Sequence, residues 1–343
     1  MTDRPHAPTI RDVARRAGVS TATVSRALSG LSTVRPATRE TVVAAATTLG
    51  YRPSGIARSL KLRSTRTLGL LVTDIANPYF PEIVRAVEDA ALERGHTLLL
   101  CTGAEDPGRE AMYLELLAER RVDGIIIASS GLQERHREWL SHARVPVVLV
   151  NCTSAGPTLP AILSDNQAGG RLAAEHLLGL GHRHLGHVSA PRRYTAAGER
   201  LAGIQQAVAA CPGADLAVID ADSRVDGAEA ATHKLLDNHP ETTGILCYND
   251  LSAIGALRAL RARGLRVPAD VSVVGYDDIA AAGWVEPALT TVSQQTATMG
   301  RWAVERLVER IGHSGDDGAE GSAVVVRLPV ALRVRASSAA PAR

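Results

Sequence analysis

The sequence predicts an α/β protein in which a small helical N-terminal module precedes two similar α/β subdomains. Beyond residue 65, short apolar runs of strand length alternate with amphipathic patterns of helix length, which predicts parallel sheets covered on both faces. The runs TLGLLVTD and HRHLGHVSA each begin a succession of such β–α units, so the pattern occurs twice. Residues 9–50 instead carry three short helical patterns.

Charge is distributed unevenly along the 343 residues. Residues 1–63 hold 11 basic and 3 acidic side chains, a net +8. The remaining residues hold 27 basic and 33 acidic side chains, a net −6. A basic module on an acidic body predicts that the module meets a polyanion. The 45% hydrophobic and only 3% aromatic content predicts large aliphatic cores, and the length predicts two or three domains.

Composition also narrows the class of protein. No run of 18 apolar residues occurs, so we expect no membrane span. The opening MTDRPHAPTI lacks an apolar h-region, so we expect no signal peptide. The four cysteines lie far apart without a C-x-x-C pair, which is typical of reduced thiols in a cytoplasmic protein.

Capping signals divide the basic module into helices. Thr9 and Asp12 form a predicted capping box before the first helix, and Gly18 ends it within the turn AGVS. Ser20 is the predicted N-cap of a second helix, and Pro36 begins a third. Apolar residues at helical spacing predict the inward faces: Ile10, Val13, Ala14 and Ala17; Val24, Ala27 and Leu28; Val42, Val43, Ala46 and Leu49.

Three short helices with a glycine turn between the first two are typical of a helix-turn-helix. The second helix then offers its outer residues to the base edges of a DNA major groove. These are Thr21, Ala22, Ser25 and Arg26. The alternative is an ordinary three-helix subdomain whose charges are only solvated.

The strings IRDVARRAGVSTATVSRALS, TRETV, LGYRP and SGIARSLK resemble the DNA-binding head of the lac repressor (LacI/GalR) family of bacterial transcription regulators. Arg35 departs from that family, which commonly has a small polar residue at this cap. The resemblance implies a DNA-contacting set that consists of Thr9, Ser20, Thr21, Ala22, Thr23, Ser25, Arg26, Leu60 and Lys61.

Residues 53–61, PSGIARSLK, resemble the hinge of that family. There a short helix forms on the operator, and a leucine, here Leu60, wedges into the minor groove and kinks the DNA. Nine residues are too few for a stable isolated helix, which suits a segment that orders on DNA. The alternative is a plain linker.

The body is similar to the effector-binding core of the same family along nearly its whole length, in strings such as IANPYFPEIVRAVEDAA, DNQAGGRLAAEHL, ERLAGI and GLRVPADVSVVGYDD. The resemblance implies a type I periplasmic-binding-protein fold, with two doubly wound subdomains joined by three crossovers near residues 163–165, 291–294 and 324–328. The domains expected are a helix-turn-helix head at 8–52, a hinge helix and linker at 53–64, a core at 65–336 and a tail at 337–343. Within the core, the first subdomain takes about 65–163 plus 293–325, and the second takes 164–292 plus 326–336.

Polar residues end several predicted strands, where ligands of open parallel sheets bind. They are Asp74, Asn151, Asn249–Asp250 and Asp277–Asp278, all able to hydrogen-bond hydroxyl groups. The resemblance implies an effector site in the cleft made by Tyr79, Phe80, Asn151, Arg200, Asn249, Asp277 and Gln294. Asn151 stands where the family is often acidic, and Ser223 stands roughly where several relatives carry a stacking aromatic.

Three functions are weighed. The first is a DNA-binding repressor that acts as a homodimer on a near-palindromic operator and responds to a sugar-like effector, with its dimer face on the helical segments 81–94 and 109–120. The second is a solute-binding protein of a transporter, and the third is a sugar enzyme; the basic head favours the first. The histidines of GLGHRHLGH lack a companion set of ligands, so we expect no metal, no cofactor and no catalytic residue.

Overall fold

The computed structural model describes residues 8–29, 33–51, 64–128, 131–132, 134–153, 159–313 and 324–342. Residues 1–65 and 66–343 form two compact units, the head and the core. Among the described residues, no helix is both long and apolar enough to cross a bilayer. The predicted hinge residues Leu60 and Lys61 lie outside the described residues.

The head consists of three helices, α1 (Ile10–Ala17), α2 (Thr21–Leu28) and α3 (Pro36–Leu49). They enclose a small aliphatic core of Val13, Ala14, Val24, Ala27, Val34, Val42, Ala45 and Ala46. Val43 is exposed, contrary to the prediction, and Ala45 is buried in its place. The reason is geometric: Ala45 and Ala46 lie one turn from Val42 on the face toward α1 and α2, and Val43 lies to one side of it.

Side chains complete the helix ends as the capping signals predict. The backbone N–H and the hydroxyl of Thr9 donate to Asp12 Oδ2 at 3.0 and 2.7 Å. Ser20 Oγ accepts the Thr23 N–H at 3.1 Å at the start of α2. Gly18 takes the left-handed conformation that ends α1, with φ of +67°.

The first sheet of the core lies in the order β2-β1-β3-β4-β5-β11, with all strands parallel. Its strands are β1 (Thr67–Val72), β2 (Thr97–Thr102), β3 (Gly124–Ala128), β4 (Val147–Val150), β5 (Ala161–Ser164) and β11 (Val325–Leu328). Its helices are α4 (Tyr79–Glu93), α5 (Pro107–Glu119), α6 (Glu134–His142) and α11 (Thr296–His313). α4 packs with α11 and α5 packs with α6, so helices cover both faces of this sheet.

The second sheet repeats this arrangement in the order β7-β6-β8-β9-β10-β12. Its strands are β6 (His184–Val188), β7 (Asp215–Ile219), β8 (Gly244–Cys247), β9 (Ser272–Asp277), β10 (Thr290–Ser293) and the antiparallel β12 (Ala331–Arg333). Its helices are α7 (Asn166–Gly179), α8 (Thr195–Ala209), α9 (Val225–Asn238) and α10 (Asp250–Ala262), followed by a 3₁₀ turn at Ala280–Gly283. The pair α7–α8 and the pair α9–α10 cover its two faces.

The chain passes between the sheets three times: after β5, after β10 and between β11 and β12. The third passage falls at residues 329–330, later than the expected 324–328, because β11 pairs with β5 of the first sheet along its whole length. Residues 326–328 therefore lie in the first subdomain and not in the second.

The C-terminal residues pack onto the second sheet, although the sequence predicts a separate tail at 337–343. Ser337 is fully buried. Its hydroxyl donates to the Val273 carbonyl at 2.6 Å and accepts the Thr290 N–H at 2.8 Å. These bonds join Ser337 to β9 and β10, so this part of the predicted tail belongs to the second subdomain.

Candidate functional site

A cavity of about 510 Å³, including solvent at its mouth, lies where the carboxyl ends of the two sheets meet. Both subdomains line it, with Asp74, Asn77, Tyr79, Phe80, Glu105 and Asn151 from the first and Ala196, Arg200, Ser223, Tyr248, Asn249 and Asp277 from the second. Strand order 2-1-3-4-5 has its switch point beside β1, and ligands of such sheets bind there.

Arg200, from α8, is buried in the wall of the second subdomain. Its Nε donates to Asn166 Oδ1 at 3.0 Å, and its Nη1 donates to the Tyr248 carbonyl at 2.5 Å. The guanidinium carbon lies 3.5 Å from the ring centroid of Tyr276 and 4.6 Å from that of Tyr248. These contacts hold the guanidinium in one orientation before any ligand arrives.

Asp277, the last residue of β9, faces this arginine. Its Oδ1 lies 3.7 Å from Arg200 Nη2 and accepts Gln294 Nε2–H at 2.6 Å. Burial raises the pKa of Asp277 to about 6, while Arg200 and the Gln294 hydrogen bond act in the opposite direction. Its φ of +111° is rare for a non-glycine residue, which indicates that the surrounding contacts hold the backbone there.

Gln294 lies under the cavity, in the second passage between sheets, and joins both subdomains. Its Oε1 accepts the Tyr79 hydroxyl at 3.4 Å, Asn151 Nδ2–H at 3.3 Å and the Ser164 hydroxyl. Asn151 in turn donates to the Tyr79 hydroxyl. Burial raises the pKa of Tyr79, so its hydroxyl stays protonated and available as a donor. Gln294 thus positions the wall residues from below.

The amide of Asn249 is already engaged on both sides. Its Oδ1 accepts the Ser252 N–H at 2.8 Å as the N-cap of α10, and its Nδ2 donates to the Ser223 carbonyl at 3.1 Å. Phe80 packs edge to face against Tyr79, with ring centroids 5.4 Å apart. Both residues therefore present preorganised edges to the cavity.

Of the seven effector residues predicted, six line the cavity and Gln294 supports them. Six other lining residues were not in that set: Asp74, Asn77, Glu105, Ala196, Ser223 and Tyr248. Asp74 is one of the strand-end residues that the sequence predicts at the ligand-binding edge, and Tyr248 directly precedes another of them, Asn249. Glu105 follows an edge strand and carries no comparable signal.

The predicted DNA-contacting residues of the head lie on α2 and at the N-caps of α1 and α2. Thr21, Ala22 and Arg26 are exposed, whereas Thr9, Thr23 and Ser25 are half-buried. Arg26 Nε donates to the Ala22 carbonyl at 3.3 Å, which directs the guanidinium along the outer face of α2. Ser20 is exposed at the N-terminus of α2, and its hydroxyl lies 2.9 Å from that of Thr23.

Two family descriptions match the chain. Residues 65–331 match periplasmic binding proteins and the sugar binding domain of the LacI family. Residues 9–54 match bacterial regulatory proteins of the lacI family. The two matches cover most of the head and nearly all of the core, and they confirm the predicted fold class.

Individual relatives agree. The chain is 39% identical over 303 residues to the ribose operon repressor of Halalkalibacterium halodurans, covering 88% of this chain and 90% of the relative. The lac repressor dimer bound to operator and the anti-inducer ONPF superimposes with a TM-score of 0.85 at 29% identity, covering 97% of this chain and 99% of that one. A LacI family transcriptional regulator from Enterococcus faecium with bound ribose gives a TM-score of 0.71 at 31% identity, covering 80% and 99%. The chain is thus a member of the LacI family of bacterial regulatory proteins.

Proposed function

We propose that this chain is a transcriptional repressor that binds a near-palindromic operator as a homodimer and is controlled by a sugar-like effector in the cleft. The observation that carries the proposal is the combination, in one chain, of a helix-turn-helix whose second helix exposes Arg26 and a preorganised polar cleft. DNA as its partner would place the protein in the cytoplasm.

On the DNA side, Arg26 and the neighbouring Thr21, Ala22 and Ser25 read base edges from α2. The guanidinium of an exposed arginine on a recognition helix can donate two hydrogen bonds to guanine, one to O6 and one to N7. Thr9 and Ser20 stand at the N-termini of α1 and α2, where the positive end of each helix dipole suits a phosphate, together with the hydroxyl group of Thr23. In this scheme residues 8–52 bind DNA, and residues 53–64, with Leu60 and Lys61, form the hinge to the core at 65–336.

On the effector side, carboxylates and amides line the cleft, and they suit the hydroxyl groups of a neutral polyol. The cationic group of Arg200 already has Asn166, the Tyr248 carbonyl and Asp277 as partners, so it offers little to a phosphate. The relatives named for or bound to ribose favour a monosaccharide of this kind.

We expect binding and no catalytic step, and no metal or cofactor. Asp277 is paired with Arg200 and Gln294, an arrangement that orients a hydroxyl group of a ligand. Within the described residues, no group of three His, Cys, Asp or Glu side chains could hold a metal ion.

For the dimer, we propose a surface on the first subdomain, formed by β2 and the helices α4 and α5. Leu92, Leu99, Leu100 and Met112 are exposed on β2, the edge strand, and on the flanking helices α4 and α5. Large apolar side chains grouped on a surface mark association sites.

Fluorescence anisotropy of the purified protein on the DNA upstream of its own gene, titrated with a panel of sugars, tests the proposal. We expect tight binding that one sugar alters and that Arg26→Ala weakens about ten- to a hundredfold. If the wild type and Arg26→Ala bind this DNA and an unrelated duplex equally weakly, this DNA holds no operator for the head. A genome-wide selection for bound fragments that again recovers no specific site would overturn the proposal.

A further inference from the structure

Four charged residues face one another at the mouth of the cleft. Asp74 and Glu105 follow β1 and β2 in the first subdomain, and Arg193 and Arg224 follow β6 and β7 in the second. In both sheets these strands form the edge opposite the strands that carry the passages between subdomains, β5, β10, β11 and β12. The four residues therefore lie on the side of the cleft away from the connecting segments.

Three ion pairs cross the mouth. Arg224 Nη2 lies 3.3 Å from Asp74 Oδ2 and 3.9 Å from Glu105 Oε2. Arg193 Nη2 lies 3.9 Å from the same Glu105 oxygen. Every one of these pairs joins the first subdomain to the second, and we name the four residues the clasp.

The clasp lies between the cavity and the solvent. The side chains of Asp74 and Glu105 are 15% and 17% exposed, and both line the cavity. The side chains of Arg224 and Arg193 are 52% and 43% exposed and are not among the lining residues. The arginines thus cover the carboxylates from outside, and a ligand in the cavity lies behind them.

A close approach of the two subdomains' backbones at the mouth also indicates that the cleft is closed. A Cβ built on Gly131, in the first subdomain, would lie 2.5 Å from the carbonyl oxygen of Arg193 in the second. Only a residue without a side chain permits this approach, so glycine at 131 lets the mouth close to ion-pair distance.

The distance of the clasp from the connecting segments determines how it responds when the cleft opens. A rotation of the subdomains about the connecting segments displaces the far edge most. The ion pairs at that edge therefore break first when the cleft opens, and their attraction falls with distance and is screened by salt.

We propose that the clasp, and Arg224 above all, is the positioning element that holds the cleft closed over the effector and sets how long the effector stays bound. Arg224 acts by fixing Asp74 and Glu105 across the mouth. The effect on an effector rests on the proposed function, whereas the effect on closure of the free protein does not.

The closure is measured directly by pulsed electron spin resonance. Nitroxide labels go on Ser141→Cys in α6 and Ala230→Cys in α9, both exposed positions outside the proposed dimer face, with half-exposed Cys211 changed to Ser. Labelled subunits are diluted with unlabelled ones, so that the distance within one subunit dominates. We expect Arg224→Gln to shift the distances to longer values and Arg224→Lys, which keeps the charge, to retain the wild-type distances.

A matched control is Arg171→Ala, because the ion pair of Arg171 with Glu175 stays within α7. It should leave the distances unchanged. Wild-type and Arg224→Gln distances that coincide at both 50 mM and 500 mM KCl would overturn the proposal.

The second arm measures dissociation of D-ribose by stopped flow. We expect Arg224→Gln to release ribose about two- to fivefold faster than wild type, the range for partly exposed ion pairs. Raising KCl should speed release from wild type and hardly affect the variant. Equal rates in both proteins would contradict the proposal. If ribose does not bind wild type, the effector assignment fails, and the distance measurement still decides on the clasp.

Discussion

The head and the cleft use polar residues in opposite ways. The head buries only Val and Ala in its core and leaves Thr21, Ala22 and Arg26 in solvent. The cleft buries its polar side chains, among them Arg200 and Asp277, and gives each several fixed partners. The difference indicates that the head can adapt its side chains to DNA, whereas the cleft selects a ligand by geometry set in advance.

The largest expected effect comes from a substitution that lowers effector binding in the cleft and leaves DNA binding by the head unchanged. Asp277→Ala leaves Arg200 buried without its carboxylate and removes a hydroxyl acceptor, which typically costs about 2–5 kcal/mol. We expect effector affinity to fall about a hundredfold or more in calorimetry, with operator affinity unchanged in anisotropy. A variant that still responds normally to effector would show that the site lies elsewhere.

Arg26→Ala tests the head in the same way. Loss of a bidentate contact to a base costs about 1–3 kcal/mol of binding free energy, so we expect operator affinity to fall roughly ten- to a hundredfold. Arg26→Lys keeps the positive charge but lacks the planar pair of donors of a guanidinium. It should therefore retain non-specific DNA binding and lose sequence preference. Effector affinity measured on the same variants should match wild type, and a large change there would mean that the two units are not separable.

Gly131→Ala tests whether the preorganised cleft requires a closely packed mouth. The added Cβ meets the Arg193 carbonyl oxygen and can be accommodated only if the mouth opens. We expect effector affinity to fall about tenfold, with the thermal unfolding midpoint nearly unchanged, because opening relieves the overlap of a few kcal/mol. Gly198→Ala, in α8 with open space around its Cβ, is the control. Wild-type affinity in Gly131→Ala would show that the mouth tolerates the methyl group while closed.

The smallest effect is the dependence of effector binding on pH. The pKa of Asp277 is about 6 in the folded protein, above its ordinary 3.8. Effector hydroxyls donate to the ionised carboxylate, so affinity should be full above pH 7 and fall up to about tenfold by pH 5. The same raised pKa means that this group contributes less to folding stability as the pH rises from about 4 to 6. Asp277→Asn should bind effector with a flat profile over this range in calorimetry, and a slope that persists would assign the titration to another group.

Much of the fold could be predicted because its signals are local. The strands with continuous apolar runs, β1, β3, β4, β8 and β9, and the caps of α1 and α2 are evident from a few adjacent residues. The short strands β5, β7, β10, β11 and β12, and the helix α6, lack such a signal. They form because an existing sheet or helix face supplies their partners, as β5 does for β11 over four residues.

The residues of the site fall into the same two groups, those that local sequence predicts and those that depend on tertiary contacts. Strand-end polar residues such as Asp277 and Asn151 can be predicted, since parallel strands bring their carboxyl ends to one edge. The role of Gln294 as a support, the burial of Ser337 and the facing of Arg224 and Asp74 could not be derived from local pattern.

By itself, the sequence determined the helices and caps of the head, the central strands of both sheets and the polar residues at their ends. Each of these depends on residues within a few positions along the chain. Only the tertiary structure decided which charges meet across the cleft, such as Arg224 and Asp74, 150 positions apart. The physical reason is that such pairs form only after both sheets exist and the connecting segments set their angle.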